Sequence, residues 1–111
     1  MIEKTVYDYL KTENLPVYME DPAGAVQPPY YLIQKTGGGV SEHIGRAIVA
    51  IQSFGSTLYE AAAANETLKA AMAGIIALDE VTACTLNSDY NYTDTARKRY
   101  RYQAVFEIVH Y

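Results

Sequence analysis

A chain of 111 residues has the size of one domain and can bury a single core without crosslinks. Half of it is apolar, a fifth is charged and the formal charge is -4; this excludes a disordered composition and argues against a surface built throughout to hold phosphate. The one cysteine, Cys84, excludes an internal disulfide and a thiolate metal cluster, and it points to a reducing compartment.

The first ten residues, MIEKTVYDYL, carry acids and no continuous apolar run, so no signal peptide is expected. Ile2, Val6, Tyr9 and Leu10 repeat at helical spacing and predict a short amphipathic helix. Pro16 stops it, because the residue before a proline avoids helical geometry. PVYME then reads as a short strand, and DPAGAVQPP, residues 21–29, as a loop. YYLIQKT predicts a second strand closed by Gly37, Gly38 and Gly39, with a flexible connection over 36–43.

In IGRAIVAIQSF both alternation sets are largely apolar, with Ile44, Ile48, Ala50 and Phe54 on one side and Ala47, Val49 and Ile51 on the other. Such a strand needs cover on each face. STLYEAAAANETLKAAMAGIIALDE predicts the longest helix, opened by a Thr57/Glu60 capping box and striped by Leu58, Ala61, Ala62, Leu68, Met72, Ile75 and Ile76. Its most apolar part, 68–78, is too short to span a bilayer, which takes about 20 residues, and a soluble protein is expected. Two strands follow, over 80–92 and 98–110. The expected class is α+β, a single domain over 1–111 in the order α-β-β-β-α-β-β, with a mostly antiparallel sheet packed by two helices.

ARKRYRYQAVF, residues 96–106, concentrates four of the nine basic residues and leaves five against thirteen acids elsewhere. Period-two alternation puts Tyr100, Tyr102, Ala104, Phe106 and Ile108 on one side and Arg97, Arg99, Arg101, Gln103 and Glu107, with Val105, on the other. A register with Tyr92 opposite Tyr100 would pair Tyr90 with Tyr102, Leu86 with Phe106 and Cys84 with Ile108. Proteins that bind single strands need aromatic and basic groups on one accessible surface, whereas this register separates them. A solvated arginine face backed by tyrosines is therefore favoured over a nucleic-acid tract.

KTGGGVSEHIGR lacks the Lys and Ser/Thr that a phosphate loop needs after its last glycine. His43 and His110 have no ligand at a metal-site spacing, Ser41, Glu42 and His43 are chain neighbours and no catalytic triad, and Cys84 alternates with apolar residues as a core filler would. No catalysis, cofactor or metal is expected. Eleven tyrosines with no tryptophan suit either strand filling or surfaces that are wet in a monomer and buried in an assembly.

The helix leading into NLPVYMEDP, the strand PYYLIQKTGGG, the run RAIVAIQSFGSTLYEAAAANETLKAAM from strand into helix, and the terminal RKRYRYQAVFEIVHY together resemble the tail terminator, or tail completion, proteins of long-tailed bacteriophages and prophages, often labelled minor capsid or head-tail joining proteins. The likeness spans nearly the whole chain and includes no catalytic or metal signature. It implies a non-enzymatic structural protein that forms a hexameric ring on the head-proximal end of the tail tube. Such a ring ends tube polymerisation and offers a surface to the head completion or connector protein, while DNA passes through its channel without sequence-specific binding. It also implies a place at the neck of the virion, in the host cytoplasm during assembly, and no membrane.

A ring uses heterologous interfaces, in which Arg97, Arg99 and Arg101 would meet a neighbour's carboxylates. Tyr30, Tyr31, Gly37, Gly38, Gly39 and Glu42 complete the expected interface. Two alternatives stay open: another ring protein of the phage neck, or a small α+β domain that binds a ligand or nucleic acid.

Overall fold

Helix α1, Ile2–Thr12, buries Ile2, Val6 and Leu10 on one stripe. Carbonyls of its last turn are satisfied locally, where the Glu13 N–H donates to the Tyr9 and Leu10 carbonyls. The chain then enters β1, which is only Val17–Tyr18 and pairs in parallel with Tyr31 and Leu32 of β2. The computed structural model describes residues 1–41 and 44–111. Over these, β2 (Tyr30–Ser41), β3 (Ile44–Gly55), α2 (Leu58–Ala73), β4 (Val81–Asn91) and β5 (Tyr100–His110) complete an α+β domain. Its element order is the expected one, with a single turn of 3-10 helix, Ile75–Ala77, added after α2.

The sheet runs in the order β1-β2-β3-β5-β4. All neighbours except β1 and β2 are antiparallel. Both helices lie on one face, where Val6, Leu10, Leu68 and Met72 pack with Ala47, Val49, Ile51, Ala104, Phe106 and Ile108. Among the described residues no helix covers the opposite face. Its apolar cover is local: Tyr30, Leu32 and Phe54 form a second cluster with Tyr18. This supplies the second cover that the doubly apolar β3 requires, and only at its C-terminal end.

The capping box is present: the Glu60 N–H donates to Thr57 Oγ1 at 3.1 Å, and Glu60 Oε1 accepts from the Ser56 N–H at 2.7 Å. Gly55 links β3 to this helix, and a Cβ there would collide with the Ala61 nitrogen. Only glycine admits that approach. The expected helical stripe needs two corrections. Leu58 and Ile76 are exposed, while Asn65 is buried in their place. The α-helix stops at Ala73 because Gly74 follows, and the Tyr9 hydroxyl occupies the space its side chain would take.

A further correction concerns the glycines. β2 does not end at Gly37; it runs on to Ser41, with Gly37, Gly38 and Gly39 opposite Ile48, Ala47 and Arg46. A neighbouring strand supplies hydrogen-bond partners to any backbone, so pairing with β3 outweighs the low strand preference of glycine. The irregularity lies at Thr36, which is skipped in the register between Lys35 and Gly37.

Candidate functional site

The basic tract straddles the start of β5. Arg97 and Lys98 belong to the turn before it, Lys98 with a left-handed φ of 55°. Arg97 is exposed, its guanidinium 3.9 Å from Asp94. Arg99 is held within the chain. Its guanidinium forks onto Asp21 with bonds of 2.9 and 3.1 Å, donates to the Tyr30 hydroxyl at 2.7 Å, and lies 4.8 Å from the Phe54 ring centre. The Arg99 hydrogen bonds hold the Asp21 carboxyl below its usual range, against a smaller opposing effect of burial. The expected free arginine face is thus corrected at Arg99. Two adjacent donors on a planar cation match a carboxylate, and residue 21 lies too far along the chain for alternation to reveal the partner.

Arg101 lies on the open sheet face. Its Nε donates to the Tyr92 carbonyl at 2.7 Å, and its guanidinium lies 4.7 Å from the centre of the Tyr92 ring and 5.7 Å from that of Phe54. Beside it a polar row crosses the sheet: Gln52 Nε2 donates to Gln34 and Gln103, and Gln103 Nε2 donates to the Tyr90 hydroxyl. Tyr90 and Tyr92 meet edge to face, with ring centres 5.9 Å apart.

Tyr90 and Tyr92 do not stand where the alternation puts them. Leu86↔Phe106 and Cys84↔Ile108 pair as expected, but Tyr90 faces Gln103 and Asn91 faces Tyr102. The cause is a bulge at Asn87, skipped in the register between Leu86 and Ser88. One inserted residue turns every later side chain of the strand to the other face. Two tyrosines therefore join the arginine side, while Tyr102 stays on the helix side. No residue at 87 marks the bulge by its type, since asparagine suits many irregular positions; the polar run NSDYN is the only hint.

The other expected interface residues are dispersed. Tyr30 sits with Arg99 and stacks on Phe54, ring centres 4.6 Å apart. Tyr31 points the opposite way into the core, where its hydroxyl donates to the Ala64 carbonyl at 3.0 Å and burial raises its pKa. Gly37, Gly38 and Gly39 lie toward the far end of the β2–β3 ribbon, where Gly38 and Gly39 line an open cleft of about 620 Å³ bounded also by Val40, Ile44, Arg46 and Glu107. Glu42 lies outside the described residues, as does His43. Cys84, a residue of β4, is partly buried, and burial pushes its thiol up to about 11. Among the described residues no group of three His, Cys, Asp or Glu side chains is placed to hold a metal ion. Among the described residues no helix is long and apolar enough to cross a membrane.

Comparison with known proteins adds no assignment: no family model matches the chain, and no curated protein matches it.

Proposed function

We propose that this chain is a non-enzymatic structural subunit that assembles into a ring at the neck of a phage-like virion, capping the head-proximal end of the tail tube and offering a surface to the head connector. The observation that carries the reading is the distribution of open surface. Both helices lie on one face of the sheet, the other face carries only a local apolar cover, and the molecule measures 44 Å along its longest axis against 25 and 22 Å in the other directions. An elongated subunit with uncovered sheet surface suits repeated side-by-side contacts. The likeness of its sequence phrases to tail terminator proteins supports the same reading. Hexameric stoichiometry and the tube and connector partners rest on that likeness alone.

Electron microscopy of purified tail tubes mixed with the protein tests it. Density of a ring on one tube end, and arrest of tube growth when the protein is added during polymerisation, are the expected results. Bare ends and unchanged tube lengths at saturating protein would sink the terminator role, and binding to portal-bearing capsids instead would assign the chain to the connector side.

The bulge at Asn87 favours one second reading. It gathers Tyr90, Tyr92 and Arg101 on one accessible face, the combination that stacking on single strands requires. Anisotropy of a labelled oligothymidine at low salt decides it: saturable binding lost in Tyr92→Ala supports this reading, and flat titration removes it.

A further inference from the structure

Among the described residues the sheet ends in two unpaired edges. β4 has a neighbour only on its β5 side. β2 pairs with β1 at Tyr31 and Leu32 alone, which leaves residues 33–40 without a neighbour on that side. Among the described residues, no main-chain hydrogen bond leads outward from 33–40 or from 82–91. Each edge is a row of donors and acceptors ready to template another strand, and folded chains usually blunt such edges with lysine, proline or a covering loop. Val81 to Asn91 contains neither lysine nor proline, and 33–40 contains Lys35 alone. The bulges at Thr36, Thr82 and Asn87 interrupt both ladders locally without closing them.

The two edges also match in level and direction. Following the ladders across the sheet, Val40 is level with Gly45, His110 and Val81, while Ile33 is level with Ile51, Ala104 and Asp89. The uncovered part of β2 thus stands at the height of nearly the whole of β4. Rotation about a ring axis involves no shift along that axis, so edges at the same height meet with no stagger. Three successive antiparallel pairings separate β2 from β4, so the two run oppositely. A neighbour with its helices on the same side would add its strand antiparallel, the more stable geometry.

We infer that residues 33–40 of one copy pair with β4 of the next copy, so that the sheets of adjacent subunits join edge to edge into one continuous belt. This deepens the ring reading and rests on it. Two different edges meet, which makes the interface heterologous and lets it repeat around a circle. Lys35 and Leu86 stand at one level, since both pair through Val49 and Phe106. Both line surface on the helix side, Lys35 with Ile2 and Gly38, and Leu86 with Met72 and Phe106. In the belt, Lys35 of one copy therefore faces Leu86 of the next.

The experiment combines native mass spectrometry with hydrogen exchange on the full chain, above and below the assembly concentration. Rings whose amides in 33–40 and 82–91 exchange at least tenfold more slowly than in the monomer are expected. Leu86→Lys sets two ammonium groups against each other and should weaken assembly tenfold or more; adding Lys35→Glu should restore it. Leu86 is 43 % exposed in the single chain, and circular dichroism of the variant monomer separates lost assembly from lost fold. Rings with unprotected edges, or a Leu86→Lys defect that Lys35→Glu deepens, overturn the seam and leave the ring reading standing. A belt that forms as described yet ignores tail tubes overturns the terminator reading and keeps the seam. A chain that stays monomeric, or forms only a β4-to-β4 dimer, overturns the seam and the ring together.

Discussion

Arg99 shows how one side chain ties distant parts of the chain together. It joins the loop at Asp21, the ring of Phe54 and the hydroxyl of Tyr30, so its charge is spent inside the molecule. Lysine offers one point charge where arginine offers a fork, and Arg99→Lys should cost about 1–2 kcal/mol in urea unfolding. A double-mutant cycle with Asp21→Asn should show coupling between the two. The pH dependence follows from the lowered Asp21 pKa: its stabilisation is complete above the ordinary value of 3.8 and is lost as the pH falls through the lower folded value. Asp21→Asn should flatten that acid limb. Ser53 makes the opposite case. Its hydroxyl is buried with no partner among the described residues, and Ser53→Ala should leave stability unchanged or raise it by up to about 1 kcal/mol, read as a higher Tm.

At the scale of elements, the junction of β3 with α2 is the tightest joint. Thr57 and Glu60 cap the helix, and Thr57→Ala should cost about 1 kcal/mol by loss of that cap. Gly55→Ala should cost more, about 2 kcal/mol or above, because its Cβ meets helix backbone and neither element can retreat without uncovering core. Thermal unfolding of both variants checks the order. Gly39 is the contrast: a Cβ there meets nothing within 4 Å among the described residues and its φ lies outside the left-handed region. Gly39→Ala should therefore raise the Tm slightly, by about 0.5 kcal/mol of stability. The alternation of β5 and the capping box of α2 were legible because each depends on residues a few positions apart. The bulge at Asn87 was not, because a bulge is chosen by how two twisted strands fit together, and nothing local to residue 87 requires it.

For the whole molecule, the balance of forces between copies is the testable quantity. With Arg99 engaged internally and Arg101 bonded to Tyr92 and Gln52, ion pairs are a small part of what this surface offers a neighbour. A seam of main-chain hydrogen bonds is short-ranged and little screened, whereas exposed ion pairs weaken steeply as salt shortens the Debye length. Raising the salt from about 0.1 M to 0.5 M should change the dissociation constant of the proposed ring less than tenfold, as followed by analytical ultracentrifugation. A steeper loss would return the interface to Arg97 and its exposed neighbours.

By itself the sequence determined the α+β class, the order of elements, the core residues of β3 and β5, and the start of α2. Each of these follows from side-chain period, proline placement or a cap, all of them local. Only the tertiary structure decided that β2 continues through Gly37–Gly39, that Arg99 closes on Asp21, that Tyr90 and Tyr92 cross to the arginine side, and that the two unpaired edges stand at one level. Those outcomes depend on which strand lies beside which, and in what register. Strand pairing brings together residues far apart in the chain, so no local window contains the information.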